Sequence, residues 1–335
     1  MRTFYELYNE IVNAGVQHNL DELKSSDKLI EFDPHHLDCL LNPDDKAPVI
    51  RLEQCSCPDG ERDNCIKSCL FDAISRDEDG NMVISPTKCT GCGACIDECK
   101  VKLLTERRDL APLFELLSEK NDEPVYAMIA PAFTGQFDKN VSPGKLRSAF
   151  KALGFAGMIE VALFADILTL KEALEFDRSI HNDNDYMLTS CCCPIWIAMI
   201  RKIYDKLIPH VPPSVSPMVA CGRSIKKLYP NAKTVFIGPC VAKKAEAKEA
   251  DIKDSVDIVL TFNEVQDLFD AANINPAKLD EDLRDHSSTA GIIYARTGGV
   301  SEAVQNTLNR LTPDRAIPLR AKQADGALKC KALLN

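Results

Sequence analysis

Apolar positions divide the chain into a helical start, a cysteine-rich middle and a long remainder in which strands and helices alternate. Residues 1–27 place apolar side chains at helical spacing, and Thr3 with Glu6 forms a capping-box pattern at their start. Residues 28–54 have mixed polarity and three prolines, which predicts a connector containing short helices.

The remainder predicts an α/β fold. From residue 125 onward, short apolar runs typical of buried strands alternate with amphipathic stretches. Two of these stretches begin with helix N-terminal signals, Ser142 followed by Pro143, and Thr261 with Glu264 three residues later. Strands that alternate with helices predict a layered α/β domain. The predicted strands are YAMIA (126–130), IEVAL (159–163), TVFIG (234–238) and DIVLT (257–261).

Composition and charge narrow the class of protein. The 335 residues are 45% hydrophobic, which is typical of a globular protein with a substantial core. The formal net charge of −10 argues against a nucleic-acid partner, whose phosphates favour basic surfaces. The longest apolar stretch is interrupted by Glu160 and Asp166, and the N-terminus has no apolar signal core. We therefore expect a soluble, cytoplasmic protein with no membrane partner.

Cysteine is the compositional outlier, with 15 residues. An odd number in a chain without a signal peptide argues against a disulfide framework. Clustered cysteines in a cytosolic chain are more often metal ligands or catalytic groups. Eight of them fall within residues 55–99.

The segment CTGCGACIDEC carries the strongest chemical signal. Its spacing, C-x2-C-x2-C-x3-C, is that of bacterial ferredoxins. The short gaps let one loop present three thiolates to a four-iron cluster, and Gly91 and Gly93 permit close backbone approach. Zinc, or cysteines without a metal, is the alternative. The four thiols are those of Cys89, Cys92, Cys95 and Cys99.

An upstream segment, CSCPDGERDNCIKSC, is a modified copy of this motif. It repeats the C-x3-C ending, but its first half is irregular, and Leu70 and Lys100 replace the proline that usually follows each final cysteine. Because the last cysteine of each motif binds the other cluster, two 4Fe–4S clusters are predicted. A zinc site or a labile cluster would also fit the irregular half. The predicted ligand sets are Cys55, Cys57, Cys65 and Cys99 for one cluster, and Cys69, Cys89, Cys92 and Cys95 for the other.

Two further cysteine segments follow in the α/β part. TSCCCPIW (189–196) follows the strand-like YMLT and precedes a helical stretch, and GPCVAKKAE follows the predicted strand TVFI. Loops at strand ends are where α/β folds build their sites. Cys193 and Cys240 are therefore predicted to be thiolate ligands brought together from two loops, with buried structural cysteines as the alternative.

The order of these segments gives a family resemblance. The ferredoxin-type block, APAF, TSCCCPIW, GPCVAKKAE and TGGVSEA resemble the catalytic subunit of iron-only (FeFe) hydrogenases over roughly residues 50–335. The resemblance implies an α/β catalytic domain of two lobes with mixed sheets flanked by helices. A small α+β two-cluster ferredoxin-like domain would precede it. The implied boundaries are 1–50 for a helical extension, 51–110 for the ferredoxin-like domain and 111–335 for the catalytic domain.

The resemblance also implies a cofactor. The family binds a 4Fe–4S cluster that a cysteine bridges to a two-iron unit carrying CO, cyanide and a dithiolate amine, and it interconverts protons and electrons with hydrogen. By the family pattern, Cys193 and Cys240 would bind the four-iron part and Cys192 would relay protons. If the family motif is aligned from Thr189 instead of from Pro194, both roles shift by one residue, so that Cys192 would be the ligand and Cys191 the proton relay.

Six further positions follow from the same resemblance. Lys243 would hydrogen-bond a cyanide, since an ammonium donor suits a bound anion. The loop of Ala130, Pro131 and Ala132 would cover the two-iron unit. Glu172 and Glu175, three residues apart on one helix, would belong to a proton path, with an ordinary solvated helix face as the alternative.

The sequence also departs from the family. Its third motif, Met-Ala-Cys-x-x-Gly-Cys, with two more ligands, is missing, and neither Cys221 nor Cys330 has its spacing. We therefore expect a C-terminally incomplete chain, with the two-iron unit held only by a complete one. Gly238, Met218 and Pro212 stand where many members have methionine, glutamine and serine, which changes the pocket and the proton route.

These inferences lead to one hypothesis and one rival. The leading hypothesis is an FeFe hydrogenase of an anaerobe. A ferredoxin-type carrier would supply its electrons, and maturation proteins would insert the two-iron unit. The rival is a non-catalytic, hydrogenase-like iron–sulfur protein for electron transfer, sensing or cluster assembly. Lys243 and the cysteines before Pro194 favour the catalytic lineage.

Overall fold

A computed structural model describes residues 2–58, 61, 63–118, 122–189, 192–283 and 287–335. The described residues form eight strands and fifteen α-helices, joined by short 3₁₀ turns. The strands are β1 Val49–Arg51, β2 Ile74–Arg76, β3 Met82–Ile84, β4 Leu104–Glu106, β5 Val125–Ile129, β6 Gly157–Glu160, β7 Lys233–Gly238 and β8 Ile258–Thr261. The helices are α1 Phe4–Val16, α2 Leu20–Lys24, α3 Pro34–Leu41, α4 Asn64–Lys67, α5 Ala94–Glu98, α6 Leu110–Leu116, α7 Pro143–Ala152, α8 Ala162–Ser179, α9 Pro194–Ile203, α10 Pro217–Leu228, α11 Ala242–Glu246, α12 Phe262–Ala271, α13 Thr289–Ile292, α14 Gly299–Leu311 and α15 Ala327–Leu334.

The central element is a four-stranded, wholly parallel sheet with the order β6-β5-β7-β8. Strands β5, β7 and β8 are largely apolar and buried on both faces, as parallel strands covered by helices require. The chain runs from β5 to β6 on one side and then returns to place β7 on the other side of β5. The strand order therefore reverses between β5 and β7, and a crevice opens there at their carboxyl ends.

The N-terminal helices pack into the same hydrophobic core as the sheet. The predicted capping box of Thr3 and Glu6 starts α1, and the apolar face of α1 contacts α6 and α12. The Tyr8 hydroxyl donates to Asp267 at 2.8 Å and fixes α1 against α12. The predicted N-termini at Ser142 and Thr261 are also confirmed, since both side chains accept helix N–H groups.

The cysteine-rich region is built from two short antiparallel pairs, β1 with β4 and β2 with β3. A short helix, α4 or α5, precedes the last cysteine of each motif, so the two C-x3-C endings are alike in structure as well as in spacing. A second, smaller apolar core lies inside this region and includes Cys65 and Cys95.

Three expectations need correction. YMLT forms no strand, because Leu188 N–H bonds to the His210 carbonyl of an irregular segment instead of a neighbouring strand. The predicted strand 159–163 ends at Glu160, because the chain turns into α8. The described residues after 110 contain one parallel sheet, whereas two lobes with mixed sheets were expected. No described helix is long and apolar enough to span a membrane.

Candidate functional site

The first group of thiols combines the irregular motif with the end of the regular one. Cys57 interacts electrostatically with the Cys55, Cys65 and Cys99 thiols, and all four line one small cavity. Burial and the neighbouring thiols raise the pKa of Cys57 to about 11. The four cysteines are those that the crossover rule assigns to one cluster.

The second group gathers the other four cysteines. Cys95 interacts with the Cys89, Cys92 and Cys69 thiols, and burial raises its pKa to about 12. Gly91 and Gly93 both have positive φ, of 70° and 79°, which lets the loop turn tightly between Cys89 and Cys95. The structure thus brings together both predicted sets of four thiols, and their role as cluster ligands remains a prediction.

The last cysteine of each motif has the same backbone environment. Cys69 Sγ accepts the Ala73 N–H and Cys99 Sγ accepts the Leu103 N–H, each at 3.3 Å and from four residues further on. Such N–H donors stabilise a thiolate more than a thiol and are one of the levers that tune iron–sulfur clusters.

The donor set and its surroundings fit two iron–sulfur clusters. The eight cysteines form no disulfides, and six of them pack in one apolar cluster with Val49, Met82 and Leu104. Cys65 and Cys95 are buried, and the other thiols are half-buried. Burial disfavours ionised thiols, and cluster iron would supply the positive charge that offsets this cost. Among the described residues, no three Cys, His, Asp or Glu side chains are grouped as ligands of a single metal ion.

Arg76 is a neighbour of the first group that the sequence analysis did not single out. Its guanidinium binds Asp63 Oδ1 at 2.9 Å and the Gly80 carbonyl at 2.8 Å, and it hydrogen-bonds the Cys55 thiol. Burial opposes ionisation of Cys55, but hydrogen bonds from Cys57 and Arg76 outweigh it and lower the pKa of Cys55.

The crevice between β5 and β7 holds two of the predicted loops. Ala130 N–H donates to the Ile237 carbonyl at 2.8 Å, so the Ala130–Pro131–Ala132 loop lies beside the end of β7. Gly238 fits closely here, because a Cβ at this position would lie 2.8 Å from the Phe236 ring and 3.1 Å from the Ala130 Cβ. Cys240 follows immediately in the same crevice.

The cysteines of TSCCCPIW approach this crevice from another element. Cys193 is the N-cap of α9 and interacts electrostatically with Cys240, while Cys192 and Cys240 both interact with Lys243. Trp196 anchors the segment by donating to the Thr189 carbonyl at 3.0 Å. Cys191 lies outside the described residues, so the assignment of roles within the triplet stays open.

Lys243 is the cation of this group. Its Nζ lies 2.5 Å from Glu246 Oε2, in a pair whose side chains are 9% and 10% exposed. Burial disfavours the ammonium, but the Glu246 carboxylate outweighs it and raises the pKa of Lys243. Burial raises the pKa of Cys240, opposed by the Lys243 charge. Lys243 therefore presents a fixed positive charge to Cys192 and Cys240.

The cysteine-rich region touches this site directly. A Cβ at Gly91 would lie 3.0 Å from the Ala242 Cα, so the loop between Cys89 and Cys92 packs on the first residue of α11. Cys69 and Leu70 belong to the same apolar cluster as Ile195 of α9. The second group of thiols thus adjoins both elements that carry Cys193 and Cys240.

The two predicted proton-path carboxylates lie on α8 in different surroundings. Glu172 is 1% exposed, whereas Glu175 is half-buried and lines an open cavity of about 270 Å³. Cys192 packs against the apolar cluster of Ala173 and Phe176 on the same helix. The buried position of Glu172 differs from a solvated helix face, and the proton path itself remains a prediction.

A buried ion cluster behind the site also escaped the sequence analysis. Lys244 Nζ donates to Glu264 Oε2 at 2.9 Å and to the Arg107 carbonyl at 2.6 Å, and lies 3.7 Å from Asp109 Oδ2. Arg107 in turn binds both Asp109 oxygens, at 2.7 and 2.8 Å. These charges tie α11 to α12 and to the segment after β4. Lys244 is 137 positions from Arg107 and 20 from Glu264, and the capping-box pattern of Glu264 gives no hint of an ion pair. The sequence alone therefore does not pair these charges.

Comparison with known proteins gives two family matches. The family described as "Iron only hydrogenase large subunit, C-terminal domain" matches residues 123–332. The family described as "4Fe-4S binding domain" matches residues 82–105, which include the regular cysteine motif.

Individual relatives fall into two groups. "Iron hydrogenase 1" of Clostridium pasteurianum is 32% identical over 195 residues, 53% of this chain and 34% of that protein. "NADP-reducing hydrogenase subunit HndD" of Solidesulfovibrio fructosivorans is 29% identical over 259 residues, 69% of this chain and 44% of that one. "Cytosolic Fe-S cluster assembly factor NAR1" of Yarrowia lipolytica is 24% identical over 231 residues, 59% of this chain and 46% of that protein.

The matched regions span a third to just under a half of the length of these relatives. Among solved structures, "apo [FeFe]-hydrogenase HydA1" of Chlamydomonas reinhardtii, variant C377H, is 28% identical and covers 64% of this chain and 61% of that one. Its TM-score of 0.49 is too low to support a conclusion about fold.

Proposed function

Because the chain belongs to the iron-only hydrogenase large subunit family, we propose that it is part of an enzyme that reversibly converts protons and electrons into hydrogen. It is a hydrogenase-like iron–sulfur protein with a 4Fe–4S binding segment. To this family membership the proposal adds three things: that the protein is catalytic, that the cysteines are cluster ligands, and that a ferredoxin-type carrier donates the electrons.

The observation that carries the proposal is the contact between the cysteine-rich region and the crevice. The Cys89–Cys92 loop packs on Ala242, two residues after Cys240. A cluster bound by the second group of thiols would therefore lie next to the Cys193 and Cys240 thiols. Electrons that enter at the first group would have a short route to the crevice, with no domain movement.

The residues of the crevice suit the proposed chemistry. The bound two-iron unit would supply the hydrogen chemistry, and Cys193 and Cys240 would hold its four-iron partner. Lys243 presents a buried ammonium donor for an anionic ligand, and Glu246 keeps it charged. Cys192 lies near Lys243 and against α8, where a thiol can pass protons between the crevice and Glu172.

The complete ligand set forms the next part of the proposal. Cys193 and Cys240 are two of the four family ligands, and we infer that the others come from a Met-Ala-Cys-x-x-Gly-Cys motif encoded after Asn335. The triplet before Pro194 would place the protein in the subgroup with three adjacent cysteines. Sequencing the DNA beyond codon 335 tests this directly. A stop codon at that position would contradict it.

The catalytic test uses the protein with all that its reading frame encodes, produced anaerobically with maturation proteins for the two-iron unit. Hydrogen formation from reduced viologen is measured for wild type, Cys192→Ala and Cys221→Ala. We expect a roughly 10²–10⁴-fold loss for Cys192→Ala, since it removes a positioned proton-transfer group. Cys221→Ala, a buried thiol away from other cysteines, should retain activity.

Spectroscopy separates this proposal from its rival, a non-catalytic iron–sulfur protein resembling the cluster assembly factor. The similarity to that relative, 24% identity over 231 residues, favours the rival as a second candidate. Full iron–sulfur signals without any hydrogen formation or hydrogen–deuterium exchange would support it and refute catalysis. Lys243 and Cys192 in the crevice favour the catalytic proposal.

A further inference from the structure

The side of α8 that carries Glu175 lines an open cavity of about 270 Å³. The Glu175 carboxylate is half-buried and accepts a long hydrogen bond, of 3.4 Å, from the Ser179 hydroxyl. One water molecule needs roughly 10–15 Å³, so the cavity has room for several. Water can therefore connect Glu175 with bulk solvent through this cavity.

A histidine, His210, lines the same cavity. It is half-buried and ends the 3₁₀ helix Asp205–His210 that follows α9. Its ring is stacked on the Tyr186 ring, with 4.0 Å between the centroids and 17° between the planes. Its carbonyl accepts the Leu188 N–H at 2.8 Å. Because both the backbone and the ring are held, the imidazole has a fixed position at the cavity wall.

The cavity also adjoins the surroundings of Cys192. Met187 lines the cavity and packs against the same apolar cluster as Cys192, a cluster that contains Phe176 of α8. On α8 itself, Glu172 and Glu175 are three positions apart, a spacing that puts two helix side chains next to each other. Cys192, the two carboxylates and the cavity with His210 are therefore neighbours in the folded chain.

Imidazole is well suited to the solvent end of such a row. Histidine is the side chain that both takes up and releases protons near neutral pH. A second carboxylate of the cavity wall, Asp185, already accepts hydrogen bonds from the backbone N–H groups of His181 and Asn182 and from the Asn182 side chain. Glu175 is therefore the carboxylate of the described cavity wall that is better placed to exchange protons with His210.

We propose that His210 collects protons from solvent and passes them through the cavity to Glu175. This inference rests on the proposed function and adds to it a proton-transfer residue outside the segments that carry the family resemblance. In hydrogen formation, a ring N–H bond of the imidazolium breaks, water relays the proton, and an O–H bond forms on the Glu175 carboxylate. The neutral ring then takes a proton from solvent, and no electron is transferred in either step.

The test measures hydrogen formation from reduced viologen, with the protein produced anaerobically with all that its reading frame encodes and with maturation proteins. Wild type, His210→Ala and His181→Ala are compared with and without imidazole in the buffer. His181 is the matched control, because it is exposed and is not among the described residues that line the cavity. We expect His210→Ala to lose about 10–100-fold, at or below the lower end for a positioned proton-transfer group, because water still reaches Glu175. Imidazole should restore much of this rate and leave wild type and His181→Ala unchanged.

The possible outcomes separate this inference from the proposed function. If wild type forms hydrogen and His210→Ala has the same rate, or a lower rate that imidazole does not restore, His210 does not collect protons, and the proposed function stands. If wild type forms no hydrogen, the proposed function fails, and this inference fails with it.

Nuclear magnetic resonance gives an independent measurement that needs no hydrogen formation and leaves His210 in place. With the histidine ring nitrogens labelled, Glu175→Gln should shift the ring signals of His210, because it removes a negative charge from the shared cavity. The ring signals of His18, which follows α1, should not change. Unchanged His210 signals would overturn the proposal, since the ring would then not sense the carboxylate to which it passes protons.

Discussion

Replacing Lys244 by methionine tests whether the buried ion cluster holds the crevice together. The Lys244 side chain is 0% exposed, and its Nζ makes hydrogen bonds of 2.6, 2.9 and 3.1 Å. Lys244 and Arg107 balance Glu264 and Asp109, and the nearby Arg108 and Asp267 add one charge of each sign. Methionine keeps the length of the side chain but leaves one negative charge uncompensated in the core.

The expected loss of stability depends on the hydrogen bonds that Glu264 keeps after Lys244 is replaced. Breaking a buried ion pair by removing one partner costs about 3–5 kcal/mol. Glu264 keeps three donors, Thr261 N–H at 2.8 Å, Thr261 Oγ1 at 2.9 Å and Asp109 N–H at 2.7 Å. We therefore expect the lower end, about 3 kcal/mol, or a fall in Tm of roughly 6–12 °C at ~2–4 °C per kcal/mol.

The assay is anaerobic thermal unfolding followed by far-UV circular dichroism, with Lys248→Met as the matched control. Lys248 binds Asp44 at 2.6 Å, but its side chain is 47% exposed, so its loss should cost less than about 1 kcal/mol. Equal Tm values for the two variants would refute the reasoning. A double variant with Glu264→Gln should recover part of the loss, because it removes the uncompensated charge.

Three more predictions follow from single contacts. Lys244 and Arg107 outweigh burial and lower the pKa of Asp109, so Asp109→Asn should destabilise the protein at neutral pH. The difference from wild type should shrink as the pH falls below about 4, where unfolded aspartate protonates, and a difference that grew toward acid pH would contradict this. Gly238→Ala should cost about 1–3 kcal/mol in thermal unfolding, because it overpacks the strand end. Gly157→Ala, whose Cβ meets nothing closer than 3.5 Å, should be nearly neutral, and equal effects would argue against a tight crevice. Arg76→Gln should lower the reduction potential of the cluster predicted at Cys55 in an EPR-monitored titration, since it removes a hydrogen bond to that sulfur. An unchanged potential would show that Arg76 does not tune this cluster.

Local chemistry determined those parts of the protein that the sequence predicted well. Capping boxes at Thr3 and Thr261 and the N-cap at Ser142 depend on residues within three positions, so they appear in the structure as predicted. The apolar runs around Ala127, Val235 and Val259 are buried strands for the same reason. The cysteine spacing likewise fixed which thiols could share a loop.

Tertiary structure decided which segments, distant in sequence, lie next to each other. Only the reversal of strand order between β5 and β7 places Ala130 against Gly238 and opens the crevice at Cys240. YMLT has strand-like residues but no strand beside it, because pairing depends on neighbours that are distant in sequence. The partners of Lys244 are likewise provided by segments that are distant in sequence. A sequence states which residues can bind charge or metal, and the packing of the chain decides which of them meet.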